Sequence, residues 1–103
     1  MITEKFKVPY YAVIFSSIRT NVDEGYEKMN QQIYSEIEKN EGYLGHEGTR
    51  QDDRFGINVS YWKDTDSILK WKNNEIHKKA KELGMEKWYE HFRTRICKVE
   101  REY

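Results

Sequence analysis

Residues 9–19 of the chain read Pro9-Tyr-Tyr-Ala-Val-Ile-Phe-Ser-Ser-Ile-Arg19, or PYYAVIFSSIR. β-Branched and aromatic side chains dominate this run, which predicts a β-strand. Successive side chains of a strand point to opposite faces of the sheet. The two alternating sets are Tyr10, Ala12 and Ile14, and Tyr11, Val13 and Phe15. Because both sets are apolar, we expect both faces of this strand to be covered.

The sequence on either side of this strand predicts the remaining elements. Apolar residues at helical spacing indicate a helix over residues 24–39, with Asp23 as its N-cap. Asp64 is placed to cap a second helix, which Gly84 ends. The other predicted elements are strands over residues 43–50, 55–62 and 91–101, a turn over 51–53, and a short turn or helix over 85–90.

The predicted element order is β-α-β-β-α-β, which is typical of the ferredoxin-like arrangement. We therefore expect one α+β domain over residues 1–103, with an antiparallel four-stranded sheet and both helices on one face. Those helices leave the second face of an apolar strand uncovered. The simplest cover is a second copy of the chain, so the sequence predicts a homodimer with the two sheets face to face.

Composition limits the possible partners and the compartment. The chain has 103 residues, with 18 basic and 18 acidic side chains, so its net charge gives no sign of a nucleic-acid partner. Its single cysteine, Cys97, fits a reducing compartment. No apolar run approaches the roughly 20 residues of a membrane-spanning helix. We expect a cytoplasmic protein without a membrane partner, and no spacing of His, Asp or Glu predicts a metal site.

The third strand and the second helix carry the candidate functional residues. In the strand, Asn58, Ser60 and Trp62 share one face, where small and polar groups leave space beneath the helices. In the helix, Trp71 and His77 lie six residues apart, which turns them about 120° from each other on a straight helix. Asn73 and Asn74 between them are poor interior helix residues and good caps. If the helix breaks there, His77 would lie over the pocket; if it runs straight, His77 is a solvated side chain.

Several segments together resemble one known family. They are Gly42-Tyr-Leu-Gly45, Val59-Ser-Tyr-Trp62, the pair Trp71 and His77, and the C-terminal run WYEHFRTRICKVEREY. The chain resembles the antibiotic biosynthesis monooxygenase domain family over nearly all of its length. This resemblance implies a dimeric α+β barrel with a pocket between sheet and helices in each subunit.

The resemblance also implies roles for individual residues. Asn58 and Trp62 match an active-site pair of the phenol-oxidising members, in which the amide binds a substrate hydroxyl and the indole forms a wall. Ser60 and Trp71 would line the same pocket. Ile68 stands where those members carry a tyrosine. Asn58 and His77 are thus the candidate catalytic residues, and Trp62, Ser60, Trp71 and Ile68 are the candidate substrate-binding residues.

Haem-degrading relatives offer a second comparison. Their ligand histidine lies about ten residues beyond the helix tryptophan, which places Lys81 rather than His77 at that position. Their first-strand asparagine corresponds to the region Ile14-Phe-Ser-Ser17. We therefore expect a monooxygenase without a tightly bound cofactor that acts on an aromatic or quinone-like small molecule. The alternatives are a non-catalytic domain that binds a small molecule such as haem, and a haem-degrading monooxygenase.

Overall fold

The computed structural model describes residues 2–52 and 54–103. Its strands are β1 (Tyr10–Arg19), β2 (Tyr43–Arg50), β3 (Phe55–Trp62) and β4 (Tyr89–Val99). Its helices are α1 (Tyr26–Ile37), α2 (Thr65–Lys72) and α3 (Glu75–Leu83), and a single π-helical turn spans Gly84–Trp88. Among the described residues, no helix is long and apolar enough to span a lipid bilayer.

The four strands form one sheet in the order β2-β3-β1-β4, and every neighbouring pair is antiparallel. This is the ferredoxin-like order, so the predicted α+β fold class is confirmed. β1 lies in the middle of the sheet between β3 and β4. Both edges of β1 are therefore hydrogen-bonded to neighbouring strands.

The strand register assigns each side chain to a face. Val13 is paired with Ser60 and Phe15 with Asn58, and these four side chains lie on the face toward the helices, here called the helix face. The opposite face, here called the open face, carries the alternate residues of the same strands. On β1 and β3 these are Tyr10, Ala12, Ile14, Ser16 and Ile18, and Phe55, Ile57, Val59 and Tyr61. The alternation predicted for both strands is confirmed.

Two clusters of buried side chains hold the helices in place. The first joins α1 and α2 to one end of the sheet, through Ile37, Trp62, Ile68 and Trp71. The second joins α1 to α3 and the π-helical turn, and its buried members are Met29, Ala80 and Trp88. The helices therefore contact one another at one end of the domain and the sheet at the other.

The first helix does not begin as predicted. It starts at Tyr26, after Gly25 in the left-handed conformation, and Asp23 provides no side-chain cap. The carboxylate of Asp23 instead forms ion pairs with Arg19 and Arg54. Charge-assisted bonds to two guanidinium groups outcompete one bond to a backbone N–H, because both partners carry charge. The predicted cap was therefore wrong, although the helix itself is confirmed.

The predicted second helix is divided in two. α2 ends at Lys72 with Asn73 as its C-cap, and Asn74 has extended backbone dihedrals before α3. The Asn74 side chain accepts from the N–H groups of Ile76 and His77, at 2.9 and 3.2 Å. The break suggested by the two asparagines is thus present. Asp64 caps α2 as predicted, accepting from the Ser67 N–H at 2.8 Å.

The last strand begins earlier than predicted, whereas a turn lies before β3 as predicted. β4 begins at Tyr89, two residues earlier than expected, directly after the π-helical turn. In the β2–β3 turn, the Arg54 N–H donates to the Gln51 carbonyl at 2.8 Å, and Arg54 has a φ of 71°. Asp53, which belongs to the predicted turn, lies outside the described residues.

Candidate functional site

The centre of the helix face is less covered than its two ends. Trp62 at one end is 1% exposed and Ser17 at the other is 2% exposed. Between them, Phe15, Asn58 and Ser60 are only half-buried although they point toward the helices. Side chains beneath a closely packed helix layer lose nearly all contact with water. Solvent therefore reaches this part of the helix face, and the surface around Phe15, Asn58 and Ser60 is here called the central cleft.

Asn58 spans this cleft toward α1. Its side-chain Nδ2 donates to the Tyr34 hydroxyl at 3.3 Å, a long bond. Among the described residues, this is its one side-chain hydrogen bond. An amide has two donors and a carbonyl acceptor, so most of its bonding capacity remains available to a bound molecule. Burial raises the pKa of Tyr34, and the bond from Asn58 acts in the opposite direction.

Several aromatic side chains in contact with one another continue this side of the cleft along β2. The Tyr34 ring stacks on His46, with ring centroids 4.5 Å apart and planes 22° apart. The Tyr43 hydroxyl forms a hydrogen bond with His46 Nδ1. Burial raises the pKa of Tyr43 to about 12, so its phenol stays protonated at neutral pH. Tyr34, His46 and Asn58 together give one wall of the cleft an aromatic surface with polar groups at its edge.

The four residues expected to contact substrate lie mainly in the core. Trp62, Ile68 and Trp71 belong to one buried cluster. The Trp62 indole N–H donates to Ser60 Oγ at 2.9 Å, which satisfies the buried donor within the protein. Ser60 is the one of the four that is half-buried at the cleft. A substrate-binding role for these residues remains a prediction.

His77 is brought to Trp71 by the helix break. The two rings stack with centroids 4.9 Å apart and planes 27° apart. The Nδ1 atom of His77 is buried without a hydrogen-bond partner of normal geometry among the described residues. Burial lowers the pKa of His77, the charge on Lys81 lowers it further, and nearby backbone carbonyls only partly oppose this. The imidazole is thus neutral at pH 7 and able to accept a proton.

The structure does not join the two candidate catalytic residues directly. Asn58 contacts Tyr34, and His77 contacts Trp71, but no described hydrogen bond or ring contact links the two groups. Within the described residues, no three His, Cys, Asp or Glu side chains are grouped to hold a metal ion.

Two shallow depressions also occur elsewhere on the surface. One lies beside residues 5–9 and Lys63, and the other at the start of α2 around Gly42 and Asp64. The first is lined by lysines together with apolar side chains such as Phe6 and Leu44, and the second mainly by charged and polar residues. We favour the central cleft as the site, because it combines aromatic walls with an available amide.

Sequence reasoning missed two residues of the cleft wall, Tyr34 and His46. Tyr34 lies beside Ile33 rather than on the apolar stripe used to predict α1, so it was not singled out. No motif of the sequence includes His46, and its stacking partner Tyr34 lies in another element. An aromatic residue next to the apolar stripe of α1 was the available signal, and only the strand pairing places His46 against it.

Comparison with known proteins gives the chain a family. Over 94 residues it is 43% identical to the uncharacterised protein YqjZ of Bacillus subtilis, a match that covers 91% of this chain and 82% of YqjZ. The chain belongs to the YqjZ family. No protein-family model matches it.

Solved structures show which fold this YqjZ-family chain has. SnoaB of Streptomyces nogalater, a cofactor-independent oxygenase, superimposes with a TM-score of 0.76 at 8% identity, covering 90% of this chain and 95% of SnoaB. A candidate antibiotic biosynthesis monooxygenase from Caulobacter crescentus gives 0.76 at 10% identity, covering 90% and 92%. Rv0793 of Mycobacterium tuberculosis gives 0.77 at 7% identity, covering 90% and 97%. The YqjZ-family chain thus has the antibiotic biosynthesis monooxygenase-like fold, and the resemblance seen in its sequence is confirmed at that level.

Proposed function

We propose that the protein is a monooxygenase that acts on a phenolic or quinone-like aromatic molecule bound in the central cleft, without a tightly bound cofactor. One observation carries the proposal: the Asn58 amide lies half-buried beneath the helices with one long bond to Tyr34. Partly buried amide groups normally have their hydrogen bonds completed, and a substrate oxygen supplies what is missing here. The shared fold with SnoaB supports this reading.

The chemistry needs a substrate that is itself the reductant. A substrate with an activated CH₂ group, such as anthrone, which is the keto tautomer of a phenol, loses a proton and transfers electrons to O₂. One oxygen atom becomes a new carbonyl at that carbon, and the other leaves as water with the two hydrogens of the CH₂. Asn58 would donate a hydrogen bond to the substrate oxygen on which negative charge develops, and a preorganised donor of this kind stabilises the transition state.

We assign proton transfer to His77. Its imidazole is half-buried and neutral at pH 7, and its stacking on Trp71 fixes the plane of the ring. Those properties suit a general base for a weakly acidic substrate. Because His77 does not contact Asn58, a substrate must span both groups, which favours a polycyclic molecule over a single ring.

The haem alternatives find less support. Lys81, at the position where the resemblance puts a haem ligand, is exposed to solvent, and lysine is charged at neutral pH. His77 lies flat against Trp71 rather than free to ligate iron. These two residues do not fit a haem site, so the proposed chemistry involves no haem. The proposal also retains the expected homodimer and cytoplasmic location.

Oxygen consumption with anthrone and 1,4-dihydroxynaphthalene tests the proposal. Wild-type protein should consume O₂ without a stoichiometric yield of H₂O₂, and ¹⁸O₂ should place one labelled atom in anthraquinone. Loss of one preorganised oxyanion donor lowers kcat by about 10²–10³-fold, so Asn58→Ala should lose about that much. Asn21→Ala, at an exposed asparagine in the loop between β1 and α1, is the matched control and should retain activity.

Two results would count against an oxygenase. Oxygen uptake equal in wild type and Asn58→Ala would remove Asn58 from the reaction. Tight binding of the same compounds without any uptake would favour the alternative of a non-catalytic small-molecule-binding domain.

A further inference from the structure

Arg50 lies across one end of the central cleft. It is the last residue of β2, and its side chain extends over Gly56 of β3 to reach β1. Its Nη2 donates to Ser17 Oγ at 2.9 Å, and its Nη1 donates to the carbonyls of Ser17 and Arg54, at 3.3 and 2.6 Å. A Cβ atom on Gly56 would lie 2.6 Å from Arg50 Cζ. The guanidinium therefore occupies the helix face because position 56 has no side chain.

The positive charge of Arg50 is not paired with a carboxylate, unlike the charges of the nearby arginines. Arg19 and Arg54 share the carboxylate of Asp23. In the part of the chain that the structure describes, no carboxylate lies within ion-pair distance of Arg50. Its partners are neutral oxygens, and the guanidinium has more N–H donors than these three bonds use. Arg50 is also exposed, so water at the free donors can be replaced by a ligand.

Aromatic groups lie close to this positive charge. Tyr89 packs edge-on against Phe15 on the helix face, with ring centroids 5.2 Å apart, and its hydroxyl donates to that of Tyr26 at 3.4 Å. Burial raises the pKa of Tyr26, but the hydrogen bonds with Tyr89 and Asn30 and the charges of Arg50 and Arg19 together lower it by more. Burial raises the pKa of Tyr89 as well, and the charges of Arg50 and Arg19 oppose that rise, so the positive charge of Arg50 acts on both phenols.

Strand geometry also sets the approximate spacing between Arg50 and the proposed reaction centre. The guanidinium covers Gly56, and Asn58 is the next residue of β3 on the same face. Same-face neighbours on a strand are about 7 Å apart. A carboxylate at Arg50 and a phenolic oxygen at Asn58 would therefore belong to opposite ends of one aromatic ring.

We propose that Arg50 binds a carboxylate of the substrate, so that the enzyme prefers acidic aromatic molecules whose carboxylate lies across the ring from the hydroxyl held by Asn58. This inference rests on the proposed function, because it takes the ligand of the cleft to be phenolic. A planar guanidinium matches a carboxylate in a bidentate geometry, which gives orientation as well as affinity.

Binding of redox-stable phenols tests the contact between Arg50 and the carboxylate, here called the anchor, without turnover. The first probe, 4-hydroxy-1-naphthoate, carries the carboxylate across the ring from the hydroxyl. The second, 1-naphthol, lacks the carboxylate. The third, 1-hydroxy-2-naphthoate, keeps the negative charge but has the carboxylate next to the hydroxyl. Calorimetric titration at pH 7 should show the first binding at least about 10-fold more tightly than the other two, since one charge-assisted pair contributes about that much. Arg50→Gln should abolish this preference, and Arg50→Lys should keep part of it.

Gly56→Ala is the geometric control, because its added methyl group displaces the guanidinium while all charges remain. It should reduce the preference as Arg50→Gln does, with an unchanged circular dichroism spectrum. Equal binding of the three probes by wild type, an undiminished preference in Arg50→Gln, or no binding of any probe would overturn the anchor. If 4-hydroxy-1-naphthoate is preferred but no oxygen is consumed, only the proposed oxygenase activity is contradicted. If anthrone drives oxygen uptake but 4-hydroxy-1-naphthoate is not preferred, only the proposed carboxylate binding by Arg50 is contradicted.

Discussion

Asn58 and His77 illustrate how local surroundings determine what one side chain can do. Asn58 retains most of its hydrogen-bonding capacity because the only described partner of its amide is the Tyr34 hydroxyl. The His77 ring stacks on Trp71, and its Nδ1 is buried without an aligned hydrogen-bond partner among the described residues. A polar group that is half-buried and incompletely bonded is where a ligand gains most from binding.

At this scale we predict that the pKa of His77 lies below its usual value of 6.5, because burial disfavours the charged ring. The unfolded chain then binds more protons than the folded protein between the two pKa values. Stability should be constant above about pH 6.5 and should fall as pH drops from 6.5 toward the folded pKa. Titration of the His77 ring protons by NMR measures this pKa directly.

Substitution of Lys81 tests one cause of the lowered His77 pKa. Lys81→Gln should move the pKa of His77 upward, because the Lys81 charge lowers it. Lys79→Gln, at an exposed position on the same helix, should leave it nearly unchanged. A His77 pKa at or above 6.5 in wild type would contradict the buried, neutral imidazole assigned here.

The pair Asn73-Asn74 determines the shape of the helical layer. Asn73 ends α2, and Asn74 begins α3 by accepting two backbone N–H bonds. The break changes the phase of the helix. As a result His77 stacks on Trp71, although a straight helix would place the two about 120° apart.

We predict that Asn74→Ala lowers the free energy of unfolding by about 1 kcal/mol, because an N-cap acceptor is lost. Asn74→Asp keeps an acceptor and should restore most of the loss. Asn73→Ala, whose side chain is exposed, should change stability by less than about 0.5 kcal/mol. Urea unfolding measures all three, and equal losses at positions 73 and 74 would show that Asn74 is not the cap that matters.

The whole molecule has one sheet face without a helical layer. The N-terminal segment covers one end of this open face, where Phe6 packs on Tyr10 and Tyr61. The Thr3 N–H donates to Glu47 at 2.7 Å, which holds the segment in place. Farther along the face, Ile18 and Ile57 are 37% and 39% exposed. Exposed aliphatic side chains on a sheet face favour association with a matching surface.

We predict that two open faces pack together in a homodimer. Ile57→Glu would bury a carboxylate at two symmetric positions, at a cost of about 2 kcal/mol each, and so raise the dissociation constant by about 10³-fold. Leu69→Glu, on α2 and 55% exposed, is the control and should leave the dimer intact. Analytical ultracentrifugation at micromolar concentration measures the change. A wild-type monomer under these conditions would contradict the interface.

Much of the fold follows from short-range patterns that a sequence displays directly. The alternation of apolar residues in β1 and β3 indicated which residues share a face. Side chains of any strand alternate between the two faces of the sheet, independently of the strands beside it. Asp64 and the two asparagines marked helix boundaries, because a cap bonds to N–H groups two or three residues away. These features need no information about distant parts of the chain.

The candidate site depended on contacts between distant segments. Asp23 failed as a cap because Arg54, far along the chain, binds its carboxylate. Arg50 reaches Ser17 only because strand pairing sets Gly56 between them, and His46 meets Tyr34 only where β2 lies beneath α1. The sequence by itself therefore determined the elements and their apolar faces. The tertiary structure decided which polar groups meet in the cleft, because strand register and helix placement arise from packing over the whole domain.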